Sequence, residues 1–374
     1  MNVNREYKEL SKNIHAPEAL KSQVLQEAVR SETKKKRDGR YSRGWSVMQK
    51  AAVAAILVIA LPITAYAAAK GLGLMDYLAG RGMQNMEAVE ALHNDATELT
   101  VSGAQTEFDE QGLATVRNDY AEYTILEAVC DSSTIFMEAK VVPLEENTLL
   151  LPSMIFEEMD SAECLGIEGV SGGTVCEYAA ANGLNLVHAS VGYWVGEKHL
   201  DGSEDFRYGE DGALYLYYSA HNISGDKEIT LNCAGTAYTP EMTVANRVEF
   251  EVTLTDKSST VRELVYRTFD AKAWEETGIQ INSLTFKVTE MGLYATFTYS
   301  VTDAKFNDID FKIVDAAGEE LAYLPGEMGS GTIDNGDGTF SRTNNYQIPV
   351  SMEGLRFVIR DFQNSADYGP YSFE

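Results

Sequence analysis

The most pronounced hydrophobic pattern is a run of nineteen uncharged residues from Ala51 to Ala69, bounded directly by Lys50 and Lys70. An α-helix rises about 1.5 Å per residue, so the run would be about 28 Å long, close to the roughly 30 Å hydrocarbon core of a bilayer. The pattern therefore predicts one transmembrane helix. Pro62 lies inside it, and membrane helices tolerate a proline when neighbouring groups satisfy the freed carbonyl.

Beyond this run the hydrophobic period changes. Residues 70–96 contain one or two turns of helical pattern and are predicted to form a juxtamembrane stalk. From residue 97 onward, apolar and polar residues alternate in many short stretches, as from Val248 to Leu254, and turn residues such as Asn335-Gly336 separate them. Many short alternating strands with few long helices predict a mainly β fold of antiparallel β-sandwiches.

A faint internal repeat predicts two tandem sandwiches. Residues 123–140 and residues 281–299 each read as a strand, a short turn and an alternating strand. We therefore predict a first sandwich over residues 97–256 and a second over residues 257–374. The first carries an insertion, residues 145–182, that contains a short helix.

The N-terminal fifty residues show helical periodicity in two short stretches. They bury too little surface to form a robust core alone, so their apolar stripes need a partner surface. Docking onto a cytosolic protein is one interpretation. The other is that the two helices pack on each other or on the membrane, or stay frayed. The candidate partner-binding residues are Leu10, Ile14, Leu20, Val24, Leu25 and Ala28.

The charges on the two sides of the apolar run predict its orientation. Residues 1–50 carry a net charge of +6, whereas the whole chain carries −27, so residues 51–374 carry −33. Basic residues beside a span are retained in the cytoplasm. The prediction is a cell-membrane protein in contact with the lipid bilayer, with residues 1–50 cytosolic, residues 51–69 spanning, and the acidic β part extracellular.

A cleaved signal peptide is the alternative, because Ala65-Tyr66-Ala67 has the small-x-small form of a cleavage site. Two features favour an uncleaved anchor. The fifty residues before the run are far longer than the basic stretch of a signal peptide, and the run exceeds the usual apolar segment of about 7 to 15 residues. Whether the site is cut stays open.

All four cysteines, Cys130, Cys164, Cys176 and Cys233, lie in the first predicted sandwich. An extracellular location favours one or two disulfides, and four thiols allow three full pairings. The alternative is that they are small buried apolar residues. Both interpretations stay open. The spacing lacks the paired CxxC pattern of a metal site.

The sequence contains no recognisable catalytic, cofactor or metal motif, so we expect a protein that is not an enzyme and has no cofactor. The five histidines are scattered, and no nucleophile elbow or phosphate loop is present. Carboxylate neighbours such as Glu204 and Asp205 indicate a solvated acidic surface, which would repel nucleic acid. The tyrosines of residues 215–218 offer rings for stacking, but in a strand half of them must point into the core.

Several segments resemble a known family. They are the amphipathic start, the single span, residues 71–77, the hairpin of residues 123–142, and residues 174–183, where a short helix leads into a strand. The chain resembles the single-pass membrane proteins of Firmicutes, low-GC Gram-positive bacteria, that carry an immunoglobulin-like ectodomain of unknown function and are often encoded beside an extracytoplasmic-function sigma factor.

The resemblance implies two tandem immunoglobulin-like sandwiches and a candidate anti-sigma factor or membrane-tethered sensor. The N-terminal helices would bind a cytosolic sigma factor, and the ectodomain would sense or bind an extracytoplasmic ligand. The cytosolic part has His15 but no Cys, which excludes a zinc-held inhibitor domain. The alternative function is a surface binding or adhesion module that the N-terminal helix merely anchors.

Overall fold

The computed structural model describes residues 73–109, 112–167, 169–200, 202–221, 223, 227–241, 245–259, 261–301, 309–326 and 331–374. All of them belong to one compact unit, Lys70–Glu374, which we call the β unit. The predicted N-terminal helices and the predicted span lie outside the described residues. Within the described part of the chain, no helix is long and apolar enough to cross a bilayer.

The described residues form a mainly β structure of 21 strands with few helices. The helices are α1 (Leu74–Gly80), α2 (Met86–Ala91), α3 (Val175–Asn182) and α4 (Ala271–Thr277), with a short 3-10 helix at Ala162–Leu165. The first strands are β1 (His93–Asp95), β2 (Thr100–Ser102), β3 (Thr106–Phe108), β4 (Ala114–Arg117), β5 (Ala121–Cys130), β6 (Thr134–Pro143), β7 (Thr148–Leu151), β8 (Asn185–Val195), β9 (Lys198–His199), β10 (Gly202–Tyr208), β11 (Leu214–His221), β12 (Glu228–Tyr238) and β13 (Asn246–Thr255). The remaining strands are β14 (Arg262–Tyr266), β15 (Ile279–Val288), β16 (Leu293–Val301), β17 (Ile309–Val314), β18 (Ile333–Asp334), β19 (Phe340–Tyr346), β20 (Arg356–Asp361) and β21 (Ala366–Tyr371).

The first thirteen strands form two sheets around one core. Sheet 1 has the order β10-β11-β6-β5-β4-β3, with β1 also paired to β5, and sheet 2 has the order β2-β13-β12-β8-β7, with β9 paired to β8. Alternation along each strand sends every second side chain between the sheets. Met137 and Leu216 of sheet 1 thereby share a core with Leu231 and Phe250 of sheet 2.

The remaining strands form a second pair of sheets with its own core. Their orders are β14-β15-β16-β19-β18 and β17-β20-β21. Aromatic side chains from both sheets meet there, with the rings of Phe297 and Phe311 stacked at a centroid distance of 4.3 Å. The two hairpins that the repeat predicts are present as β5–β6 and β15–β16, and each carries a register irregularity in its first strand.

One strand pair departs from the antiparallel prediction, since β7 and β8 run parallel. A parallel pair needs a crossover connection, and residues 152–184 provide it. This crossover contains the predicted short helix as α3, which begins at a capping box between Thr174 and Glu177 and ends at Gly183, where φ is +66°. A left-handed backbone conformation at this position favours glycine.

Residues 73–96, which belong to the predicted juxtamembrane stalk, pack against the sheets. The apolar residues Leu74, Leu78, Val89 and Leu92 are all buried. They share one core with Phe136 and Tyr217 of the first sandwich and with Met291, Tyr294 and Leu324 of the second. Two short helices with an apolar stripe are not stable in water alone, so burial of that stripe is the physical reason for their packing.

Polar contacts reinforce the joint between the two sandwiches. The Tyr294 hydroxyl lies 2.6 Å from Thr134 Oγ1 and donates to Asp131 Oδ2 at 3.4 Å. Lys287 Nζ donates to the Ser132 carbonyl at 3.1 Å. These bonds join strands β15 and β16 to the turn between β5 and β6, so the sandwiches share an interface that is both apolar and hydrogen-bonded.

We expect Tyr294→Phe to lower the free energy of unfolding by about 1–2 kcal/mol, because it leaves buried polar groups with fewer partners. Denaturant unfolding of the full chain measures this change. The matched control is Tyr120→Phe, since the Tyr120 hydroxyl makes no hydrogen bond within the described part of the chain. Equal effects of the two substitutions would contradict the structural role of the Tyr294 hydroxyl.

Candidate functional site

A row of polar side chains crosses the outer face of sheet 1. Glu127 of β5 lies directly opposite Glu138 of β6, which lies opposite Tyr217 of β11, which in turn lies opposite Asp205 of β10. Residues opposite one another in neighbouring strands share a face of the sheet. We call these four residues the carboxylate row. Like charges directly opposite are destabilising, so the Glu127–Glu138 pair requires compensation from its surroundings.

Helix α1 lies over the carboxylate row and contacts both of its ends. The first N–H of the helix, that of Leu74, donates to Glu127 Oε2 at 3.0 Å. Near the other end of the row, the Tyr77 hydroxyl donates to Asp205 Oδ2 at 3.1 Å, and Arg81 Nη1 lies 3.7 Å from the same oxygen. The row therefore sets both the position and the direction of α1.

The centre of the row is an aromatic stack. The Tyr77 ring lies on the Tyr217 ring with centroids 4.0 Å apart and planes 8° from parallel. The Arg207 guanidinium lies over the Tyr217 ring, 5.2 Å from its centroid. The side chain of Tyr217 is thus enclosed between α1 and its own sheet, and only 3% of it is exposed.

Glu138 has two partners that offset its burial. Arg207 Nη2 lies 3.3 Å from Glu138 Oε1, and the Tyr217 hydroxyl donates to the same oxygen at 3.1 Å. Burial nevertheless raises the pKa of Glu138 to about 7, and the Glu127 carboxylate adds to this rise. Arg207 and Tyr217 lower the pKa by less. Glu138 therefore gains and loses its proton near neutral pH.

The glycine before α1 allows the close approach of Glu127. A Cβ at Gly73 would lie 2.7 Å from Glu127 Oε1, which is closer than real Cβ contacts come. On the other side of the same carboxylate, His93 Nε2 lies 3.3 Å from Glu127 Oε2. The start of α1 is thereby held in a polar environment, and a larger residue at position 73 would require the end of the Glu127 side chain to shift.

This arrangement suits a docking function better than a chemical reaction. Helix α1 covers Glu138, of which 1% is exposed, so a substrate has no path to its carboxyl group. Within the described ranges, no group of three or more His, Cys, Asp or Glu side chains is placed to hold a metal ion. What the site does is hold one helix through contacts that depend on charge.

The candidate residues named from the sequence lie partly outside and partly inside the described part of the chain. The candidate partner-binding residues from Leu10 to Ala28 lie outside the described residues, as do the transmembrane positions Ala51, Pro62 and Ala69. Asp205 contacts α1, and 37% of its side chain stays exposed to solvent. Its neighbour Glu204 has its pKa raised to about 7 by burial.

The four candidate disulfide cysteines are free thiols in the structure. Cys130 and Cys233 are buried in the core of the first sandwich, which agrees with the alternative interpretation for these two residues. Burial raises the pKa of the Cys130 thiol to about 12, which keeps it protonated and unreactive. Cys164 is exposed and Cys176 is half-buried.

The carboxylate row itself was not identified from the sequence. Glu127 and Glu138 interrupt otherwise apolar strands, and this interruption is the one signal that the sequence carries. It does not tell which residues lie opposite one another, because that depends on the register of four strands. The tyrosines of residues 215–218 divide as alternation requires, with Tyr217 under α1 and Tyr218 in the core.

The raised pKa of Glu138 makes the stability of the β unit depend on pH. A carboxyl group with a higher pKa in the folded protein stabilises the fold fully below its unfolded pKa, and this contribution is lost as the pH rises through the folded pKa. For Glu138 the two values are 4.5 and about 7. A difference of this size corresponds to about 3 kcal/mol as an order of magnitude.

We expect Glu138→Gln to reduce the loss of stability between these two pH values. Above neutral pH the variant is then more stable relative to the unsubstituted protein than it is at acidic pH. Denaturant unfolding of the full chain and of the variant across this range measures the difference. Glu204 and Asp131, whose pKa values burial also raises, contribute equally to both proteins. Exposed Glu249→Gln is the control, and identical pH profiles for Glu138→Gln and the parent would contradict the assignment.

Comparisons with known proteins give structural likenesses. No protein-family model matches the chain, and no curated protein matches it. The chain is similar to a solved structure described as "The crystal structure of the conserved domain protein from Bacillus anthracis". The likeness covers 71% of this chain and 78% of that one, with a TM-score of 0.38 and 10% sequence identity.

Proposed function

We propose that this chain is a membrane-anchored regulatory protein of the anti-sigma type. In this proposal residues 51–69 span the cell membrane, residues 1–50 bind a cytosolic sigma factor, and the β unit lies outside the cell as a sensor. The proposal includes an immunoglobulin-like character for both sandwiches. Its support is the apolar run, the charge difference across that run, and the resemblance of the N-terminal and hairpin segments to the single-pass membrane proteins of Firmicutes.

The observation that carries the proposal is the docking of α1. This helix begins at Leu74, five residues after Ala69, where the apolar run ends. It is held by the carboxylate row of the first sandwich and shares a core with residues of the second. A change in the packing of either sandwich therefore acts on the segment that continues into the apolar run.

Signalling then follows from two states of α1, docked and released. A ligand that binds the β unit differently in these two states shifts their populations by the difference in its affinities. Release of α1 frees the chain next to the span, and the change reaches the N-terminal helices through that span. Docking removes Glu138 from water, and this desolvation opposes the docked state.

The first test concerns topology, and the exposed cysteine provides the probe. We expect a membrane-impermeant maleimide to label Cys164 on intact cells, because this thiol is exposed and belongs to the part placed outside. Labelling is measured by a mass shift of the purified chain. Replacement of Cys164 and Cys176 by Ser removes the label, since Cys130 and Cys233 are buried.

A cysteine on the other side of the span is the matched control. Ser11→Cys, introduced into the protein without Cys164 and Cys176, is labelled only after the cells are lysed. Labelling of Cys164 that requires lysis, or labelling of the introduced cysteine on intact cells, contradicts the proposed orientation.

The second test concerns coupling through α1. We expect Leu78→Asp to change transcription from promoters of the sigma factor that the N-terminal helices are proposed to bind severalfold, because a charge at this buried position prevents docking of the helix. A promoter reporter measures the change. Ala79→Asp is the control, since it places the same charge at an exposed position of the same helix.

The same reporter separates the two candidate functions. Deletion of residues 1–40 alters transcription if the N-terminal helices bind a sigma factor. If the chain is a surface binding module, the deletion and Leu78→Asp both leave transcription unchanged. That result would reject the regulatory proposal and favour the surface module.

A further inference from the structure

The outer face of sheet 2 carries a second row of side chains, which α1 does not cover. Trp194 of β8 lies opposite Asn232 of β12, which lies opposite Glu251 of β13, which lies opposite Ser102 of β2. All four belong to the lining of a single open depression of about 460 Å³. Unlike the carboxylate row, this face combines an indole ring, an amide, a carboxylate and a hydroxyl.

Small residues lie beside the indole that borders the depression. The indole of Trp194 lies across Gly192, where a Cβ would come within 2.6 Å of the ring carbon Cη2. Ala234 lies between Gly192 and Glu249 in the neighbouring strands and is buried. The indole therefore lies close against the sheet and borders the depression as an apolar surface.

The polar groups around the depression keep unused hydrogen-bonding capacity. Arg247 Nη2 pairs with Glu249 Oε1 at 3.0 Å, which leaves the other guanidinium N–H groups available. The Asn232 amide nitrogen donates to the Gly196 carbonyl at 3.2 Å. The Glu251 side chain is exposed and makes no hydrogen bond or ion pair with the residues that the structure describes. Hydrogen-bond donors and acceptors are thus mixed around the depression.

The charges exclude one class of ligand. The depression contains Glu249 and Glu251 against the single cation Arg247. Residues 51–374 together carry a net charge of −33. An anionic ligand would be repelled, so the ligand is neutral or cationic.

The position of Arg247 favours a neutral ligand. Its guanidinium lies over the Trp194 ring, 5.2 Å from the ring centroid. The protein's own side chain therefore already occupies the place that a ligand cation would take on the indole. A cation would also use only the acceptors, whereas a hydroxyl group is both donor and acceptor and matches the mixed set.

We propose that this depression is a binding site for a short neutral saccharide. The C–H groups of a sugar ring contact the part of the half-buried Trp194 indole that lines the depression beside Arg247, and its hydroxyl groups bond to Asn232, Glu251 and Arg247. An open, shallow site on a flat sheet accepts an internal stretch of a longer glycan as well as a free oligosaccharide. The site goes beyond the regulatory proposal and does not depend on it, because a surface binding module would use it equally.

The test is binding of a panel of short neutral oligosaccharides, derived from glucans, xylans, mannans and chitin, to the detergent-solubilised full chain. We expect at least one member to bind saturably, with a Kd between about 1 μM and 1 mM in isothermal titration calorimetry. Trp194→Ala and Glu251→Gln each weaken this binding by about tenfold or more. Glu251→Gln alters an exposed side chain and leaves the fold intact, so the result stands even if Trp194→Ala fails to fold.

The matched controls are Trp274→Ala, which removes an indole that is 41% exposed in α4, and Glu228→Gln, which alters another exposed carboxylate of sheet 2. Both retain the parental affinity. Absence of binding by every oligosaccharide overturns the proposal. Binding that survives both Trp194→Ala and Glu251→Gln overturns it too, as does displacement of the sugar by the diamine cadaverine, which would identify a cation site. Each of these results leaves the transcription test unaffected.

Discussion

The structure of the β unit depends on burial of the apolar stripe of α1 and α2 between the two sandwiches. Leu74, Leu78, Val89 and Leu92 have no other partner surface, and Phe136 and Tyr294 from different sandwiches complete the same core. Without this core the two sandwiches would be joined by the short connection between β13 and β14 and by hydrogen bonds such as that of Lys287 to Ser132. With it, the helices next to the apolar run become part of the folded protein.

The same burial creates the electrostatic character of the site. Helix α1 removes Glu138 from water, and Arg207 and the Tyr217 hydroxyl offset this desolvation only in part, so the pKa of Glu138 stays raised. The two outer faces of the first sandwich therefore differ in kind. The face of sheet 1 is occupied by the protein's own helix, whereas the face of sheet 2 keeps an indole and polar groups at the surface.

Much of the fold could be predicted from alternation, because burial of every second residue is a local property of a strand. Val248, Phe250, Val252 and Leu254 are all buried, as their spacing predicts. The hairpins and α3 carried equally local signals. The parallel pair β7–β8 and the carboxylate row carried none, because strand order and register depend on residues far apart in the chain.

The sequence by itself determined the local periodicities, the mainly β class, the apolar run and the charge difference on its two sides. It also determined that residues 74–92 have an apolar stripe, but only the tertiary structure decided that both sandwiches cover it. Tertiary structure likewise decided which carboxylates face one another and which cysteines are buried. The physical reason is that burial and pairing depend on contacts between segments distant in the chain. The hydrophobic periodicity indicates only which residues need such a contact, not which residues provide it.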